Sequence, residues 1–188
     1  LGYIIIDEQH KFGVRQRKLL SDKGGRNCDV LLMSATPIPR TLTMSIYGDM
    51  DVSIIREKPK HRKEVKTYSK IESKIDDVIK FVEKEIKEEN QVFWVCPLIE
   101  ESKKIDHQSS VKKFETLNKL FPSKVGLLHG KIDNAEKEVI LNKFLNKEYL
   151  ILVSTTIIEV GIDFPNANLI IIENANKFGL SQLHQLRG

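Results

Sequence analysis

This sequence contains no long apolar run, no visible internal repeat and only two cysteines, and each of these features excludes a class of protein. No stretch approaches the roughly 18 apolar residues that a membrane-spanning helix needs. The first residues lack the charged region and the cleavage site of a secretory signal peptide. The sequence therefore predicts a cytoplasmic, globular protein with no membrane partner.

Only two cysteines are present, Cys28 and Cys96, and they lie far apart in the chain. This spacing gives neither a Cys-x-x-Cys metal pair nor a disulfide framework. Each cysteine adjoins an apolar, strand-like run, and unpaired cysteines are commonly core residues. We therefore expect two buried free thiols.

Chain length and net charge leave the number of domains and the kind of partner open. The 188 residues suffice for one average domain or two smaller ones, and the net charge of +4 permits a nucleic-acid partner without requiring one. The chain begins at Leu1 without a methionine and stops at "QLHQLRG" within a helical, partly basic pattern. We expect it to be a piece of a longer polypeptide.

Short β-rich runs alternate with helical patterns along the chain. The predicted strands are Tyr3–Asp7, Val30–Ala35, Val52–Ile55, Val65–Tyr68, Val92–Cys96, Val125–His129, Leu150–Ser154 and Leu169–Glu173. Strands that are apolar throughout and alternate with helices indicate parallel sheets covered on both faces. The predicted fold class is α/β with doubly wound parallel sheets, in which active sites lie where strands end.

Two helical patterns are the clearest. In residues 69–90, Ser69 and Glu72 have the spacing of a capping box, and Asp133 and Glu136 have it in residues 133–146. The first apolar face carries Ile75, Val78, Ile79, Val82 and Ile86, and the second carries Ile140, Leu141, Phe144 and Leu145.

The composition changes at "REKPKHRKE", residues 56–64, where Pro59 and five basic residues predict a linker. We place a domain boundary there. The basic run is either a solvated connector or a contact for the DNA backbone.

The segment "IIIDEQHKFG", residues 4–13, runs an apolar strand directly into a polar cluster. An aspartate at a strand end can hold Mg²⁺ through water, and a neighbouring glutamate can activate an attacking water in phosphoryl transfer. Taken alone, two adjacent carboxylates after a strand, such as Asp7 and Glu8, are more often helix-capping or surface groups. A zinc peptidase is disfavoured because His-Glu-x-x-His spacing is absent.

A second polar segment follows the next apolar strand: "VLLM" ends in "SATPIPRTL", residues 34–42. The pair DEQH and SATP resembles motifs II and III of the superfamily 2 helicases. "GLLHGKI" (126–132) and "VSTTIIEVGIDFPNANLIII" (153–172) resemble the nucleic-acid-contacting segment and motif V of their second motor domain. "FGLSQLHQLRG" (178–188) resembles the opening of motif VI.

One branch of this superfamily accounts for the whole chain. "DEQHKFGVRQR", "SATPIPRTL", "FWVCPLIEES" and "NKFGLSQLHQLRG" together resemble the RecG family of bacterial DNA helicases, which remodel stalled replication forks and branched recombination intermediates. Transcription-repair coupling factors share SATPIPRTL and the motif V to VI block, but typically have Asp-Glu-Glu-Gln at residues 7–10 and lack "WVCPLIEES".

The resemblance implies RecA-like sheets of the P-loop NTPase helicase fold. Residues 1–62 would be the C-terminal part of a first RecA-like domain with the linker. Residues 63–188 would be most of the second RecA-like domain, ending within motif VI. ATP and Mg²⁺ are the implied cofactors, and branched or forked DNA is the implied partner; protein partners are not indicated.

Catalytic roles are implied for the first polar segment. Asp7 would hold the Mg²⁺ of MgATP through water, and Glu8 would activate the attacking water. Gln9 and His10 would relay the state of the γ-phosphate, unless they only hydrogen-bond the turn backbone.

A coupling role, linking hydrolysis to DNA movement, is implied for Ser34, Ala35 and Thr36. Their hydroxyls could instead cap a helix before Pro37, and the two roles are compatible.

Nucleotide or DNA contacts are implied for His129, Gly130, Thr155, Thr156, Gly161, Asp163 and Gln185. A hydroxyl at a strand end and a glycine allow close approach of the backbone to phosphate. The loop after Thr155 could instead only turn the chain, and His129 could be a merely satisfied polar group.

Among the elements of the family pattern that are missing from these 188 residues are the G-x-x-x-x-G-K-[ST] phosphate loop and the two arginines that continue motif VI. The chain by itself is therefore expected to be inactive. A nucleotide- or DNA-binding α/β module without catalysis is the alternative function.

Overall fold

The computed structural model describes residues 2–8, 14–24, 28–34, 51–55, 57, 64–97, 103–155, 164 and 166–187. The chain divides into two compact units, Leu1–Glu64 (unit 1) and Val65–Gly188 (unit 2). No helix in the described ranges is both long enough and apolar enough to cross a membrane.

Unit 1 contains β1 (Tyr3–Ile6), α1 (Val14–Gly24) and β2 (Asp29–Leu32) among its described residues. The two strands are parallel, with Tyr3 opposite Asp29 and Ile6 opposite Leu32. Side chains alternate across the sheet, so Ile4 and Ile6 are buried while Ile5 is exposed. These two strands therefore leave apolar side chains exposed on one face.

Unit 2 holds a sheet of four parallel strands within the described residues, in the order β4-β5-β3-β6. Its elements are a 3-10 turn at Glu72–Lys74, α2 (Ile75–Lys87), β3 (Gln91–Val95), α3 (Lys103–Leu120), β4 (Val125–Leu128), α4 (Asn134–Leu145), β5 (Ile151–Ser154), β6 (Ala167–Ile172), a 3-10 turn at Ala175–Lys177 and α5 (Leu180–Arg187). The alternation of strands and helices confirms the α/β prediction here.

Both faces of the unit 2 sheet are covered. One face packs on α2 and α3 through Val82, Val92, Trp94, Cys96, Leu117, Val125, Ile151 and Val153. The opposite face packs on α4 through Leu128, Leu141, Phe144 and Leu152. Gly126 in β4 is required by this packing, because a Cβ there would lie 2.8 Å from Cδ2 of Tyr149. The core of the chain's described part therefore lies mainly in unit 2.

Two predicted strands are wrong. Residues 51–55 and 64–70 belong to no helix or strand, and their side chains are exposed, with Ile55 93% exposed. Their β-branched residues suit a strand, but that preference is realised only when a neighbouring strand and a buried face are present.

Helix capping was predicted correctly at one helix and wrongly at the other. Asp133 caps α4, since its Oδ1 accepts a hydrogen bond of 2.8 Å from the Glu136 N–H. The Ser69 capping box does not form, because residues 64–71 belong to no helix and the 3-10 turn starts only at Glu72. Neither Ile71 nor Lys74 makes a side-chain cap. The helix begins only where its side chains start to approach the core.

The cysteine prediction is also correct only in part. Both thiols are free, and Cys96 is buried, but Cys28 is only half-buried. Cys28 follows α1 rather than lying inside a covered sheet, and its Sγ donates a weak hydrogen bond to the Asp29 carbonyl.

Candidate functional site

In unit 1, three predicted site residues lie at one edge of the sheet. Asp7 and Glu8 directly follow β1, and Ser34 follows β2 by two residues. The pairing of the strands continues past β2, because the Met33 N–H donates to the Ile6 carbonyl at 2.8 Å. The structure therefore brings these three predicted residues to the same carboxyl edge.

The two carboxylates of this edge differ in their surroundings. Asp7 is exposed, and its Oδ1 accepts a 2.8 Å hydrogen bond from the Glu8 N–H. Glu8 is half-buried and has a φ of 48°, a left-handed conformation that non-glycine residues rarely adopt. Such a conformation costs on the order of 1 kcal/mol or more and is concentrated at functional sites. Glu89, Ser123, Lys147 and Asn174 also have it, so the conformation by itself does not single out Glu8.

The described side chain that is expected to hold Mg²⁺ is the exposed carboxylate of Asp7. Within the described ranges, no three His, Cys, Asp or Glu side chains come together as a metal-binding group. Mg²⁺ commonly takes one or two carboxylates and completes its shell with water and phosphate oxygens. The exposed carboxylate of Asp7 at a strand end fits that pattern.

Several predicted site residues lie outside the described residues. They are Gln9, His10, Ala35, Thr36, Thr156, Gly161 and Asp163. Their predicted roles, and the alternative roles as turn or cap residues, therefore remain predictions.

In unit 2, four residues form a row at the carboxyl edge of the sheet. In sheet order they are His129, Thr155, Cys96 and Glu173, each directly after its strand. Backbone hydrogen bonds join neighbouring strands along this row: Thr155 N–H to the Leu128 carbonyl (3.3 Å), Cys96 N–H to Ser154 (2.8 Å) and Glu173 N–H to Val95 (2.9 Å). Two residues predicted to contact nucleotide or DNA, His129 and Thr155, are thus neighbours.

The ring of His129 has a structural role in addition to any ligand contact. Its Nδ1 accepts a 3.2 Å hydrogen bond from the Lys131 N–H, which fixes the turn after β4. Gly130 is exposed, and a Cβ there would meet nothing within 4 Å. Neither packing nor φ requires glycine at this position, and its predicted ligand contact stays a prediction.

Gln185 lies half-buried on α5, apart from this row in sequence. The start of α5 is fixed by a 2.9 Å hydrogen bond from the Gly179 N–H to Oε1 of Gln182. Near its end, Nη2 of Arg187 donates to the Val65 carbonyl at 3.5 Å. The first contact caps the helix locally, and the second joins its end to another segment of unit 2.

Glu173, the last residue of this row, forms an ionic cluster with Lys113 and Cys96 that the sequence did not indicate. Lys113 Nζ lies 2.6 Å from Oε1 of Glu173, and the Cys96 thiol donates to Oε2 of Glu173 at 3.9 Å. Burial, together with the nearby Glu173 charge, raises the pKa of Cys96 to about 12, although Lys113 opposes the shift. The feature of the sequence that could have located this cluster is that Cys96 and Glu173 each end a predicted strand.

The fold and the matching sequence identify the class of the protein. Residues 73–188 match the helicase conserved C-terminal domain, and the chain belongs to that family. Over its full length it is 57% identical to the ATP-dependent DNA helicase RecG of Aquifex aeolicus and 50% identical to that of Bacillus subtilis. The chain covers 24% and 28% of these two relatives, so it spans about a quarter of their length. The predicted resemblance to the RecG family is confirmed.

Solved structures agree. A structure of RecG bound to a three-way DNA junction is 45% identical, with a TM-score of 0.68 over 100% of this chain and 24% of that chain. The L327V variant of S. cerevisiae Dbp5, bound to RNA and ADP BeF3, matches 98% of this chain and 49% of its own, with a TM-score of 0.60. At 17% identity, this match supports a shared fold and nothing beyond it. The predicted RecA-like α/β fold is confirmed.

Proposed function

We propose that this chain forms part of the motor of an ATP-dependent DNA helicase that remodels stalled forks and branched recombination intermediates in DNA repair and recombination. The observation that carries this proposal is the 57% identity to a RecG helicase over the whole chain. The related structure on a three-way junction supports branched DNA as the partner. A role on bacterial DNA supports a cytoplasmic location.

The two units would belong to different domains of the motor. Residues 1–62 would supply the C-terminal part of the first RecA-like domain and the linker, and residues 63–188 most of the second domain. The division between Glu64 and Val65 and the family match from residue 73 support this assignment.

In unit 1, Asp7 would hold the Mg²⁺ of MgATP through water, and this ion would neutralise charge on the phosphates. Glu8 would orient and deprotonate the attacking water. Gln9 and His10 would relay the state of the γ-phosphate. The shared carboxyl edge of Asp7 and Ser34 supports coupling through Ser34, Ala35 and Thr36. The hydrogen bond from the Met33 N–H to the Ile6 carbonyl joins the two strand ends, so a displacement of one would move the other.

In unit 2, the carboxyl edge would carry the nucleotide and DNA contacts. The residues proposed for them are His129, Gly130, Thr155, Thr156, Gly161, Asp163 and Gln185. The adjacency of His129 and Thr155 and the open space beside Gly130 support this role.

The proposal is tested in the full-length gene product with Asp7→Ala and Glu8→Gln. Asp7→Ala should weaken Mg²⁺-dependent ATP turnover, because the carboxylate nearest the metal is lost. Glu8→Gln should keep nucleotide binding and abolish turnover, because an amide cannot take a proton from water. DNA-stimulated phosphate release and nucleotide titration measure the two effects.

The matched control is Asp29→Asn, which neutralises an exposed carboxylate at the opposite end of β2 and should leave turnover unchanged. Equal loss of nucleotide binding in both test variants would refute the division of roles. A wild-type gene product without DNA-stimulated hydrolysis would refute the helicase function. The 188-residue chain by itself should show no hydrolysis, since its sequence holds no phosphate-loop motif.

A further inference from the structure

One partly buried ionic cluster in unit 2 joins three elements. Glu173 follows β6, Lys113 belongs to α3, and Cys96 follows β3. Lys113 bridges Glu173 at 2.6 Å, and its ammonium also lies 5.2 Å from the centroid of the Trp94 ring. The Glu173 carboxylate is therefore held from two neighbouring elements.

This ion pair differs from those on the helix surface. Lys113 and Glu173 side chains are each 24% exposed, whereas Lys87 and Glu83 of α2 are 72% and 51% exposed. An exposed pair within one helix is screened by solvent and contributes little. A shielded pair that joins separate elements is screened less and constrains their relative position.

Glu173 also lies where the chain leaves the sheet for α5. Its N–H donates to the Val95 carbonyl, and the next residue, Asn174, has a left-handed φ of 48°. The 3-10 turn Ala175–Lys177 follows, with the Lys177 N–H bonded to the Asn174 carbonyl at 2.8 Å.

The hydrogen-bonded connection continues from that turn into α5. The Phe178 N–H bonds the Ala175 carbonyl at 3.1 Å, and the Leu183 N–H bonds the Gly179 carbonyl at 3.0 Å. The connection from β6 to α5 is thus short and locally bonded, so a displacement at Glu173 is passed on to the helix that carries Gln185.

We propose that Glu173 and Lys113 are positioning residues that fix the exit of β6 and thereby the position of the motif VI helix, α5. The functional meaning of this placement rests on the helicase function proposed above, because Gln185 is assigned there. The placement itself is a property of unit 2 and can be tested separately.

The structural test uses the 188-residue chain with Glu173→Gln, Lys113→Met and the double variant. Amide exchange in residues 174–187 should quicken by about tenfold or more in each single variant, because the contact that joins α3 to the exit of β6 is lost. The double variant should add little further, since both substitutions break the same contact. Exchange in α4, which packs on the opposite sheet face, should not change.

Two controls separate positioning from general destabilisation. Glu83→Gln removes an ion pair of similar length, 2.8 Å, on the exposed face of α2 and should leave exchange in 174–187 unchanged. Lys113→Arg keeps the charge and should retain protection. Trp94 is the one tryptophan of the chain, so its emission should shift in Lys113→Met and Glu173→Gln but not in Glu83→Gln.

Unchanged exchange in 174–187, or a uniform rise across unit 2, would overturn the proposal. A second measurement uses the full-length gene product, in which Glu173→Gln should reduce DNA-stimulated kcat several-fold while Glu83→Gln does not. If the wild-type product shows no such activity, the proposed function fails, and the exchange measurement still decides the positioning role. If wild-type activity is present and Glu173→Gln leaves it intact, the positioning proposal fails alone.

Discussion

At the scale of single residues, burial sets the protonation of Cys96. The thiol is almost fully buried beside the Glu173 carboxylate, and its pKa is raised to about 12, chiefly by burial. In the unfolded chain the thiol ionises at lower pH, so between about pH 9 and pH 12 the folded state binds more protons than the unfolded state. The stabilising contribution of Cys96 is therefore complete below this range and is lost as pH rises through it.

Alkaline stability tests this prediction. We expect the free energy of unfolding of the wild-type chain to fall more steeply from pH 9 to pH 11 than that of Cys96→Ala, by up to about 1.4 kcal/mol per pH unit. Other groups that titrate in this range are common to both chains. Urea unfolding at several pH values, followed by Trp94 fluorescence, gives both slopes. Parallel curves would show that the burial of this thiol does not control its ionisation.

At the same scale, Gln91 shows what a sequence pattern cannot reveal. Its side chain is buried at the start of β3, and its Nε2 donates to the carbonyls of Phe144 and, at 3.2 Å, Tyr149. A buried amide needs such partners because an unmade hydrogen bond costs about 1–3 kcal/mol. The partners lie more than 50 residues away in sequence, so only the folded chain identifies this glutamine as a core residue.

At the scale of elements, one helix start is set by a local cap and another by tertiary contact. Asp133 caps α4 through the Glu136 N–H, whereas the predicted cap at Ser69 is absent from α2. The difference arises because the residues around Ser69 are exposed and belong to no helix, and the 3-10 turn before α2 starts only at Glu72.

Asp133→Ala should therefore lower the free energy of unfolding by about 1 kcal/mol, the usual cost of losing an N-cap oxygen. Asp133→Asn should retain most of the stability, since an amide oxygen can accept the same hydrogen bond. The control, Ser69→Ala, should change stability by no more than a few tenths of a kcal/mol, as is typical of surface sites. Urea unfolding compares the three, and a larger loss in Ser69→Ala than in Asp133→Ala would contradict the assignment of both helix starts.

At the scale of the whole molecule, the two units differ in their cores. Among the described residues, the buried apolar side chains of unit 1 are Ile4 and Ile6, while unit 2 contains both packed clusters. Ile5 and Leu31, opposite each other on β1 and β2, are exposed, which leaves apolar surface open to pairing with other chains. Unit 2 is thus the better candidate for independent folding.

Limited proteolysis of the 188-residue chain should therefore cut among the basic residues 58–63 and leave a stable piece from about Val65 to Gly188. Amide exchange should be slow in Gln91–Val95 and Ile151–Ser154, the central strands of the unit 2 sheet, and fast in residues 2–8 and 28–34. Slower exchange in the first 55 residues than in β3 and β5 would contradict this account of the core.

The sequence by itself determined the features that depend on neighbouring residues. Apolar runs ending in polar segments located β1, β2 and the four strands of unit 2, and Asp133 with Glu136 located the start of α4. The motifs placed Asp7, Glu8 and Ser34 at strand ends, because parallel strands present their last residues at one edge. These signals are local, so they survive without knowledge of the fold.

The tertiary structure alone decided the features that depend on distant partners. Residues 51–55 and 64–70 have β-branched side chains but no paired strand, so strand propensity was not realised there. The order β4-β5-β3-β6 placed His129 beside Thr155 and Cys96 beside Glu173, and it brought Lys113 onto that carboxylate. Strand order and ion pairing arise from contacts between elements far apart in the chain, and no local pattern of residues records them.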